Sequence, residues 1–203
     1  MYYNKSQFKK YLASKIMIDN QFNLEELLSN LNCAIPAEVL DSERTDFLYM
    51  QLALEEAVNA FRCDEVPVGC IIVHEDRIIA RARNARESTN DPTAHAELIA
   101  VQNAAKMLNS WRLENCIAYV SLEPCIMCMG TFLQARIKRI VYGANDHKAG
   151  AAGTLYNLHN DERLNHRIDV KSGVLADASA YLLREFFKLK RPNHQHKNGN
   201  AEQ

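Results

Sequence analysis

The chain has 203 residues and a mass of 23.1 kDa, which suits one well-packed domain with an appendage rather than two full domains. Hydrophobic residues make up 47% and charged residues 24% of the sequence, and this balance excludes a largely disordered, collagen-like or coiled-coil protein. The net charge of −1 excludes a histone-like polycation, although it leaves room for a local basic patch. No apolar run approaches the roughly 18 residues of a membrane span, and the first twenty residues lack the apolar core of a signal peptide. We therefore expect a cytoplasmic protein that does not enter a membrane.

The first 45 residues differ in charge pattern from the rest of the chain. Residues 1–18 contain four lysines and no acidic residue, whereas residues 19–43 contain six acidic residues and no basic one. Four leucines at helical spacing predict one short amphipathic helix at 24–31. We interpret residues 1–45 as an N-terminal extension of unknown role, residues 46–191 as one domain, and the polar residues 192–203 as a disordered tail.

Helices and strands alternate from Asp46 onward. Asp46 is a candidate N-cap for a helix whose apolar residues recur at the helical period as far as Phe61. The apolar runs at 67–73 and 77–81, separated by a two-residue turn, predict a β-hairpin. Further strands are predicted at 117–121, 139–143 and 168–171, and further helices at 93–107, 125–134 and 177–189. This order predicts an α/β domain with three layers (α/β/α) around a mixed five-stranded sheet.

Two short segments carry a cluster of chemically active residues. Residues 91–97 (DPTAHAE) supply His95 and Glu97, and residues 121–128 (SLEPCIMC) supply Cys125 and Cys128, which form the chain's C-x-x-C pair. Cysteines in a cytosolic protein are more often metal ligands or free thiols than disulfides. A proline stands before each group, so we expect each group to open a helix, where unpaired backbone N–H groups favour a thiolate.

Two thiolates and one imidazole make three protein ligands for zinc. A catalytic zinc site leaves its fourth position for water, whereas a structural site closes with a fourth side chain. The candidates for such a fourth ligand are Cys63, Cys70, Cys116 and His147. Two thiolates also neutralise the dication, so a nearby base would help to activate the water. Glu97 is our candidate base, because a residue two positions after His95 points roughly 200° away on a helix and is badly placed to share the metal.

The combination H-x-E … P-C-x-x-C is typical of zinc-dependent deaminases. The segments 65–69 (EVPVG), 150–155 (GAAGTL) and 165–167 (NHR) extend the likeness, and together with the two metal-binding segments they resemble the bacterial tRNA-specific adenosine deaminases from about residue 46 to residue 191. The resemblance implies a cytidine deaminase-like fold and the conversion of adenosine to inosine at the wobble position of a tRNA, in particular an arginine tRNA. It also implies a homodimer with one zinc ion per subunit.

The same resemblance implies a role for individual residues. By the family's motif, His95, Cys125 and Cys128 hold the zinc ion, and Glu97 is the catalytic residue that moves protons between the water, the adenine ring and the departing ammonia. Six further residues are predicted to bind the anticodon stem-loop or its target base: Asn84, Ala96, Asp146, Lys148, Phe187 and Arg191. Asn145 stands where the family often has arginine, so we expect the contacts to the anticodon loop to differ here.

Two other interpretations use the same motifs. The first keeps the chemistry and changes the substrate to a free nucleoside or nucleobase of the cytidine or guanine type. Such an enzyme needs no basic C-terminal helix, whereas residues 184–197 of this chain contain several lysines and arginines around two phenylalanines, as a surface that binds RNA phosphates and bases would. The second is a structural zinc module or a non-catalytic RNA-binding protein, which requires the fourth protein ligand.

Overall fold

A computed structural model describes residues 41–191, with side chains from residue 44 onward. The helix predicted at 24–31 and the tail at 192–203 lie outside the described residues. The strands of the described part are β1 (Gly69–His74), β2 (Arg77–Arg83), β3 (Cys116–Leu122), β4 (Arg139–Ala144) and β5 (Asp169–Lys171). Its α-helices are α1 (Asp41–Arg62), α2 (Arg86–Thr89), α3 (Ala96–Met107), α4 (Ile126–Gln134) and α5 (Ala176–Lys190), and a short 3-10 helix spans Leu158–Asn160.

The strands form a mixed sheet in the order β2-β1-β3-β4-β5. Strand β1 is antiparallel to both of its neighbours, whereas β3, β4 and β5 are parallel to one another. Consequently β2, β3, β4 and β5 all run in one direction, and their carboxyl ends meet at one edge of the sheet. Open α/β sheets bind their ligands at this edge. The predicted mixed five-stranded sheet is confirmed.

Helices cover both faces of the sheet, as the three-layer prediction requires. Successive strand residues point to opposite faces, so Cys70 and Ile72 of β1 pack with buried residues of α3 and α4, while Ile71 and Val73 pack on the side of α1. Helices α1 and α5 then pack against each other through a separate buried cluster that includes Leu182. In residues 41–191, no helix has both the length and the apolar character that crossing a membrane requires.

Asp46 is not the N-cap that the sequence suggested. Helix α1 begins at Asp41, so Asp46 lies inside the helix, and its carboxylate is buried against the sheet. There it accepts hydrogen bonds from the Tyr119 hydroxyl at 3.0 Å, from the Arg139 guanidinium at 2.9 and 3.0 Å, and from the Lys171 ammonium at 2.9 Å. The residue therefore ties α1 to three strands instead of starting the helix.

Two predicted helix starts also move towards the C-terminus. Thr93 was expected to open a helix, but the Asp91 carboxylate accepts hydrogen bonds from the backbone N–H of Thr93 at 2.7 Å and from its hydroxyl at 2.6 Å. This local turn competes with helical geometry, so α3 begins only at Ala96. Helix α4 begins at Ile126, one residue after the predicted start, and Pro124 lies before the helix rather than in its first turn.

Candidate active site

The three predicted metal ligands lie together at the carboxyl edge of the sheet. His95 and Cys125 occupy the N-cap positions of α3 and α4, both with extended backbone angles, and Cys128 lies in the first turn of α4. The His95 Nδ1 atom is 3.4 Å from the Cys128 sulfur and 3.8 Å from the Cys125 sulfur, and the two sulfurs are 3.5 Å apart. The ligand atoms of these residues thus face one common point from two neighbouring helix starts.

These distances suit a tetrahedral zinc ion. Bonds of about 2.3 Å to sulfur and about 2.05 Å to nitrogen at tetrahedral angles place two sulfurs about 3.8 Å apart and a sulfur and nitrogen about 3.6 Å apart. The observed separations of 3.4–3.8 Å agree with this geometry within a few tenths of an ångström. Thiolate and imidazole are also the donors that zinc prefers, so the residues present fit the ion.

The electrostatics of the cluster favour a negative charge on the Cys125 sulfur. The hydrogen bond between the Cys125 and Cys128 sulfurs, together with the neighbouring His95, lowers the pKa of Cys125 to about 4. The same hydrogen bond, with burial, raises the pKa of the Cys128 thiol. The hydrogen bond with Cys125 raises the pKa of His95 although burial opposes the shift. A divalent cation among these atoms favours the thiolate at both cysteines.

Glu97 lies beside the cluster but is not one of its ligands. Among the residues at positions 41–191, the group of closely spaced metal-binding side chains consists of His95, Cys125 and Cys128. The Glu97 carboxylate is buried, and its Oε2 atom is buried without a hydrogen-bond partner among residues 41–191. Burial raises the pKa of this carboxyl above its usual value. A buried oxygen without a partner is costly, so the position suits a group that exchanges a proton with a bound molecule.

Within residues 41–191, none of the four candidates supplies the fourth protein ligand of a closed zinc site. Cys63 is exposed, and Cys70 and Cys116 are buried in the strands β1 and β3. His147 is exposed on the loop after β4. None of these four belongs to the metal-binding group found within 41–191. A site with three protein ligands is of the catalytic kind, and the interpretation as a structural zinc module receives no support.

Asn84 and Ala96 lie next to the metal-binding cluster. Asn84 follows β2 at the carboxyl edge of the sheet and is buried, and its Nδ2 donates a hydrogen bond to Glu65 at 3.3 Å. The neighbouring Ala85 N–H donates to the carbonyl oxygen of Ala94 at 3.0 Å, which fixes this segment beside His95. Ala96 is the first residue of α3 and is fully buried.

Asp146 and Lys148 lie on the loop that follows β4 at the same edge. The Asp146 side chain is half-buried, and its Oδ1 accepts hydrogen bonds from the backbone N–H groups of Lys148 at 2.8 Å and Ala149 at 3.2 Å. The Lys148 side chain is exposed. The backbone of this loop pairs with the metal-binding segment at Cys125, opposite Gly150. The structure therefore brings Asp146 to the loops around the metal cluster.

Phe187 and Arg191 lie at the C-terminal end of the described chain, on and just beyond α5. The Phe187 ring is 46% exposed and packs edge-to-face against Phe186 at a centroid distance of 5.5 Å. The Lys190 ammonium pairs with the carboxylate of Asp64 at 2.5 Å, in the turn just before Glu65. This ion pair attaches the end of α5 to the turn at Asp64. The next residue, Glu65, accepts the hydrogen bond from Asn84.

Two buried carboxylates were not assigned a role from the sequence. Glu65 accepts hydrogen bonds from the backbone N–H groups of Glu87 at 3.2 Å and Ser88 at 2.7 Å, besides the one from Asn84. Burial alone would raise its pKa, but these hydrogen bonds outweigh burial and the pKa is lowered. Glu123, directly after β3, likewise accepts hydrogen bonds from backbone N–H groups, those of Asp146, Ala152 and Thr154. An acidic residue directly beside an apolar strand, as in EVPVG and SLEPC, is the available sequence signal.

The family follows from comparison with known proteins. Residues 43–144 match the sequence model of the cytidine and deoxycytidylate deaminase zinc-binding region. This range contains the whole metal-binding cluster and Glu97. The chain therefore belongs to this family of zinc-binding deaminases. Within it, the chain is 46% identical over 143 residues to the tRNA-specific adenosine deaminase of Bacillus subtilis, and the alignment covers 70% of this chain and 89% of that protein.

Other relatives agree with this likeness. The tRNA-specific adenosine deaminase of Haemophilus influenzae is also 46% identical over 143 residues, with 70% of this chain and 83% of that protein covered. A solved structure from a study of A-to-I editing by tRNA:A34 deaminases superposes with a TM-score of 0.65 at 41% identity, covering 66% of this chain and 98% of that one. A guanine deaminase from Nitrosomonas europaea has a TM-score of 0.59 at 25% identity, covering 68% and 81%. The higher identities do not favour a free nucleobase as the substrate.

Proposed function

We propose that this protein hydrolyses adenosine to inosine at the wobble position of a tRNA, in particular an arginine tRNA. The observation that carries the proposal is the three-ligand cluster of His95, Cys125 and Cys128 beside the buried, unpartnered oxygen of Glu97. This arrangement combines an open metal site with a base, as hydrolytic deamination requires. The relatives at 46% identity, named tRNA-specific adenosine deaminases, supply the substrate class.

The three metal ligands would allow the site to activate a water molecule as the nucleophile. His95, Cys125 and Cys128 would hold one zinc ion, which when bound lowers the pKa of a water molecule and so provides a nucleophile at neutral pH. The two cysteine thiolates contribute negative charge to the site, so a separate proton acceptor is needed. Glu97 is our candidate, and its interactions with His95, Cys125 and Cys128 together with its place outside the ligand set support it.

Glu97 would move two protons during one turnover. Its carboxylate accepts the proton of the attacking water and passes it to the adenine ring nitrogen next to C6, while the water oxygen bonds to C6. A second proton passes through Glu97 to the exocyclic nitrogen, and the C6–N bond breaks to release ammonia. Adenosine and water thus become inosine and ammonia, and the buried carboxyl, with its raised pKa, is suited to hold a proton between the two steps.

The loops around the cluster would bind the RNA. The target base must leave its stack to reach a buried site, because C6 is inaccessible within a stacked loop. Asn84 would hydrogen-bond the base, the backbone near Ala96 would line the pocket, and Asp146 would contact a neighbouring sugar. Lys148 and Arg191 are exposed cations for phosphates, and the exposed ring of Phe187 offers a face for a base.

The proposal is tested with the full chain, loaded with zinc, and an unmodified arginine tRNA that carries adenosine at the wobble position. Sequencing the product should reveal inosine at that position and at no other adenosine. The matched control tRNA carries guanosine at the wobble position and should remain unchanged. Absence of inosine with zinc-loaded protein across several tRNAs would exclude the function. Comparable activity on free adenosine, cytidine or guanine would instead favour the nucleoside or nucleobase alternative.

We infer further that the protein acts as a homodimer in the cytoplasm. Three large apolar side chains are about half exposed on the segments that flank the cluster, namely Ile126, Leu155 and Tyr156. Contact with a second copy would remove this apolar surface from water. Analytical ultracentrifugation should therefore give twice the chain mass, and Ile126→Lys should shift the protein towards the monomer. A wild-type protein that sediments as a monomer at micromolar concentration would contradict the dimer.

A further inference from the structure

The Glu123 side chain is surrounded by hydrogen-bond donors from one loop. It is 2% exposed and follows β3 directly. Its Oε1 accepts hydrogen bonds from the backbone N–H groups of Ala152 and Thr154, both at 3.0 Å. Its Oε2 accepts one from the backbone N–H of Asp146 at 3.0 Å and a short one from the Thr154 hydroxyl. Four donors from residues 146–154 therefore converge on a single carboxylate.

Within residues 41–191, no ion pair accounts for the burial of the Glu123 carboxylate. Among the ion pairs formed by residues 41–191, none includes Glu123, so the neutral donors of the loop provide its stabilisation. A buried carboxylate is tolerated when several hydrogen bonds replace its hydration. The relation is mutual, because three backbone N–H groups of the loop would otherwise be left without these acceptors.

The same carboxylate belongs to the segment that carries the metal ligands. Glu123 is two residues before Cys125, and the intervening Pro124 accepts a hydrogen bond from Ala151 N–H at 2.9 Å. Gly150 lies so close that a Cβ atom there would be 2.4 Å from the Glu123 Oε2 and 2.6 Å from the carbonyl oxygen of Asp146. The loop is therefore packed against Glu123 with no room for a side chain at Gly150.

We propose that Glu123 is a positioning residue that holds Asp146 at a fixed distance from the metal-binding cluster. The inference rests on the proposed function, in which Asp146 contacts the RNA beside the target base. Glu123 itself is buried, its four hydrogen bonds go to residues 146–154, and it is not a member of the metal-binding group found within 41–191. Its loss should therefore weaken substrate binding while the ligands and Glu97 keep their places.

Glu123→Gln makes a sharp test, because the amide has one acceptor oxygen in place of two. The oxygen will take the Oε1 position, where two backbone N–H groups need an acceptor, and the amide nitrogen will face the Asp146 N–H. The Thr154 hydroxyl can rotate to accept a hydrogen bond, but a backbone N–H cannot. The variant thus removes the Asp146 hydrogen bond in particular. We expect the hydrogen-exchange protection of the Asp146 amide to fall, with smaller changes at Ala152 and Thr154.

The kinetic expectation is a change in KM rather than in kcat. Loss of one loop hydrogen bond should raise KM for an anticodon stem-loop by about tenfold, with kcat within about twofold of wild type. Zinc content should stay at one ion per chain. The control is Asp46→Asn, a buried carboxylate under the opposite face of the sheet, which should lower stability without changing KM or the protection of the Asp146 amide.

A second pair of variants covers the case in which Glu123→Gln does not fold. Thr154→Val removes the hydroxyl that reaches Glu123 at constant volume, whereas Thr154→Ser retains it. Thr154→Val should raise KM and lower the protection of the Asp146 amide, whereas Thr154→Ser should leave both close to wild type. Unchanged KM and protection in Glu123→Gln and Thr154→Val would overturn the proposal, and so would a loss of zinc and kcat at constant KM. If the wild-type protein forms no inosine, the proposed function fails, and the Asp146 amide alone then decides the positioning role.

Discussion

Asp46 on helix α1 and Arg139 on strand β4 form a two-point ion pair, with Nη1–Oδ1 and Nη2–Oδ2 distances of 3.0 and 2.9 Å. The Lys171 ammonium and the Tyr119 hydroxyl also donate to the Asp46 carboxylate. Burial alone would raise the pKa of Asp46, but these hydrogen bonds and charges outweigh burial and the pKa is lowered. The ion pair therefore links helix α1 to the sheet, and this link requires the Asp46 carboxyl group to be ionised.

This ion pair should make the protein sensitive to acid. Since the pKa of Asp46 in the folded state lies below its unfolded value of 3.8, the stabilisation is fully present above pH 3.8 and is lost as the pH falls through the lower folded value. Asp46→Asn should cost about 3 kcal/mol at pH 7, because it leaves two partly buried cations without their shared partner. Its stability should also change less than that of wild type between pH 5 and pH 3.

Urea unfolding followed by circular dichroism across this pH range measures the effect. The control variant is Asp169→Asn, since Asp169 also pairs with Arg139, at 3.2 Å, but its side chain is 72% exposed. The control should lose less than about 0.5 kcal/mol, as exposed ion pairs contribute little. Equal losses in the two variants would show that burial of the Asp46 carboxylate is not what makes the ion pair important.

Glu97→Gln should abolish turnover and leave the metal in place. The amide keeps the size of the buried side chain but cannot accept a proton, so kcat should fall at least about a hundredfold, as is usual for loss of a general base. Zinc content, measured by atomic emission, should equal that of wild type because Glu97 is not among the metal-binding group. Glu114→Gln, at a 64% exposed side chain, is the control and should retain full activity. Turnover that persists in Glu97→Gln would exclude the carboxylate as the proton shuttle.

Removal of the metal should abolish activity and lower the melting temperature. The three ligands join the starts of α3 and α4, so an ion that binds only the folded state stabilises it by mass action. Dialysis against a strong chelator should lower the Tm, and added zinc should restore both Tm and activity. Cys128→Ser should bind zinc more weakly than wild type. Cys63→Ser, at an exposed cysteine outside the cluster, should bind it equally well, and weaker binding by this control would return Cys63 to consideration as a fourth ligand.

Two glycine substitutions should change stability in opposite directions. Gly150→Ala places a Cβ against Glu123 and the backbone of Asp146 and should destabilise the protein by about 2 kcal/mol, the usual range for overpacking. Gly130→Ala lies within α4, where the new Cβ would have no atom within 4 Å among the described residues apart from its chain neighbours and the helix's own backbone, and it should stabilise the helix by about 0.5–1 kcal/mol. Thermal unfolding monitored by circular dichroism distinguishes the two. A Gly150→Ala variant as stable as wild type would mean that the loop can move away from Glu123 at little cost in stability.

The sequence predicted the elements whose signals are local. The apolar run at 67–73 and the hairpin after it, and the metal ligands at i and i+3 of one helix, follow from spacing within a few residues. The helix predicted from Thr93 begins at Ala96, because the Asp91 side chain forms a turn that composition does not distinguish from a helix start. The helix predicted from Cys125 begins one residue later, at Ile126. Asp46 was misjudged for a different reason: its three partners lie 73 to 125 residues away in the chain.

The parts of the site that depend on sheet order could not be read from spacing. Asn84, Glu123 and Asp146 each follow a different strand, and they come together only because β2, β3 and β4 run in the same direction. The resemblance to a known family supplied Asn84 and Asp146 but left Glu65 and Glu123 without a role. Both are buried acids whose partners are mainly backbone N–H groups, and a backbone donor leaves no trace in residue type.

The metal ligands lie at helix starts, whereas Asn84 and Asp146, which we propose to contact the RNA, lie on loops that follow strands, so substitutions in the two places should have different effects. A substitution at the exposed Asn145 would change the surface that faces the substrate. The buried Glu123 carboxylate would still accept the hydrogen bond from the backbone N–H of Asp146. If these loops bind the RNA as proposed, single substitutions there should change substrate preference while His95, Glu97, Cys125 and Cys128 keep their arrangement.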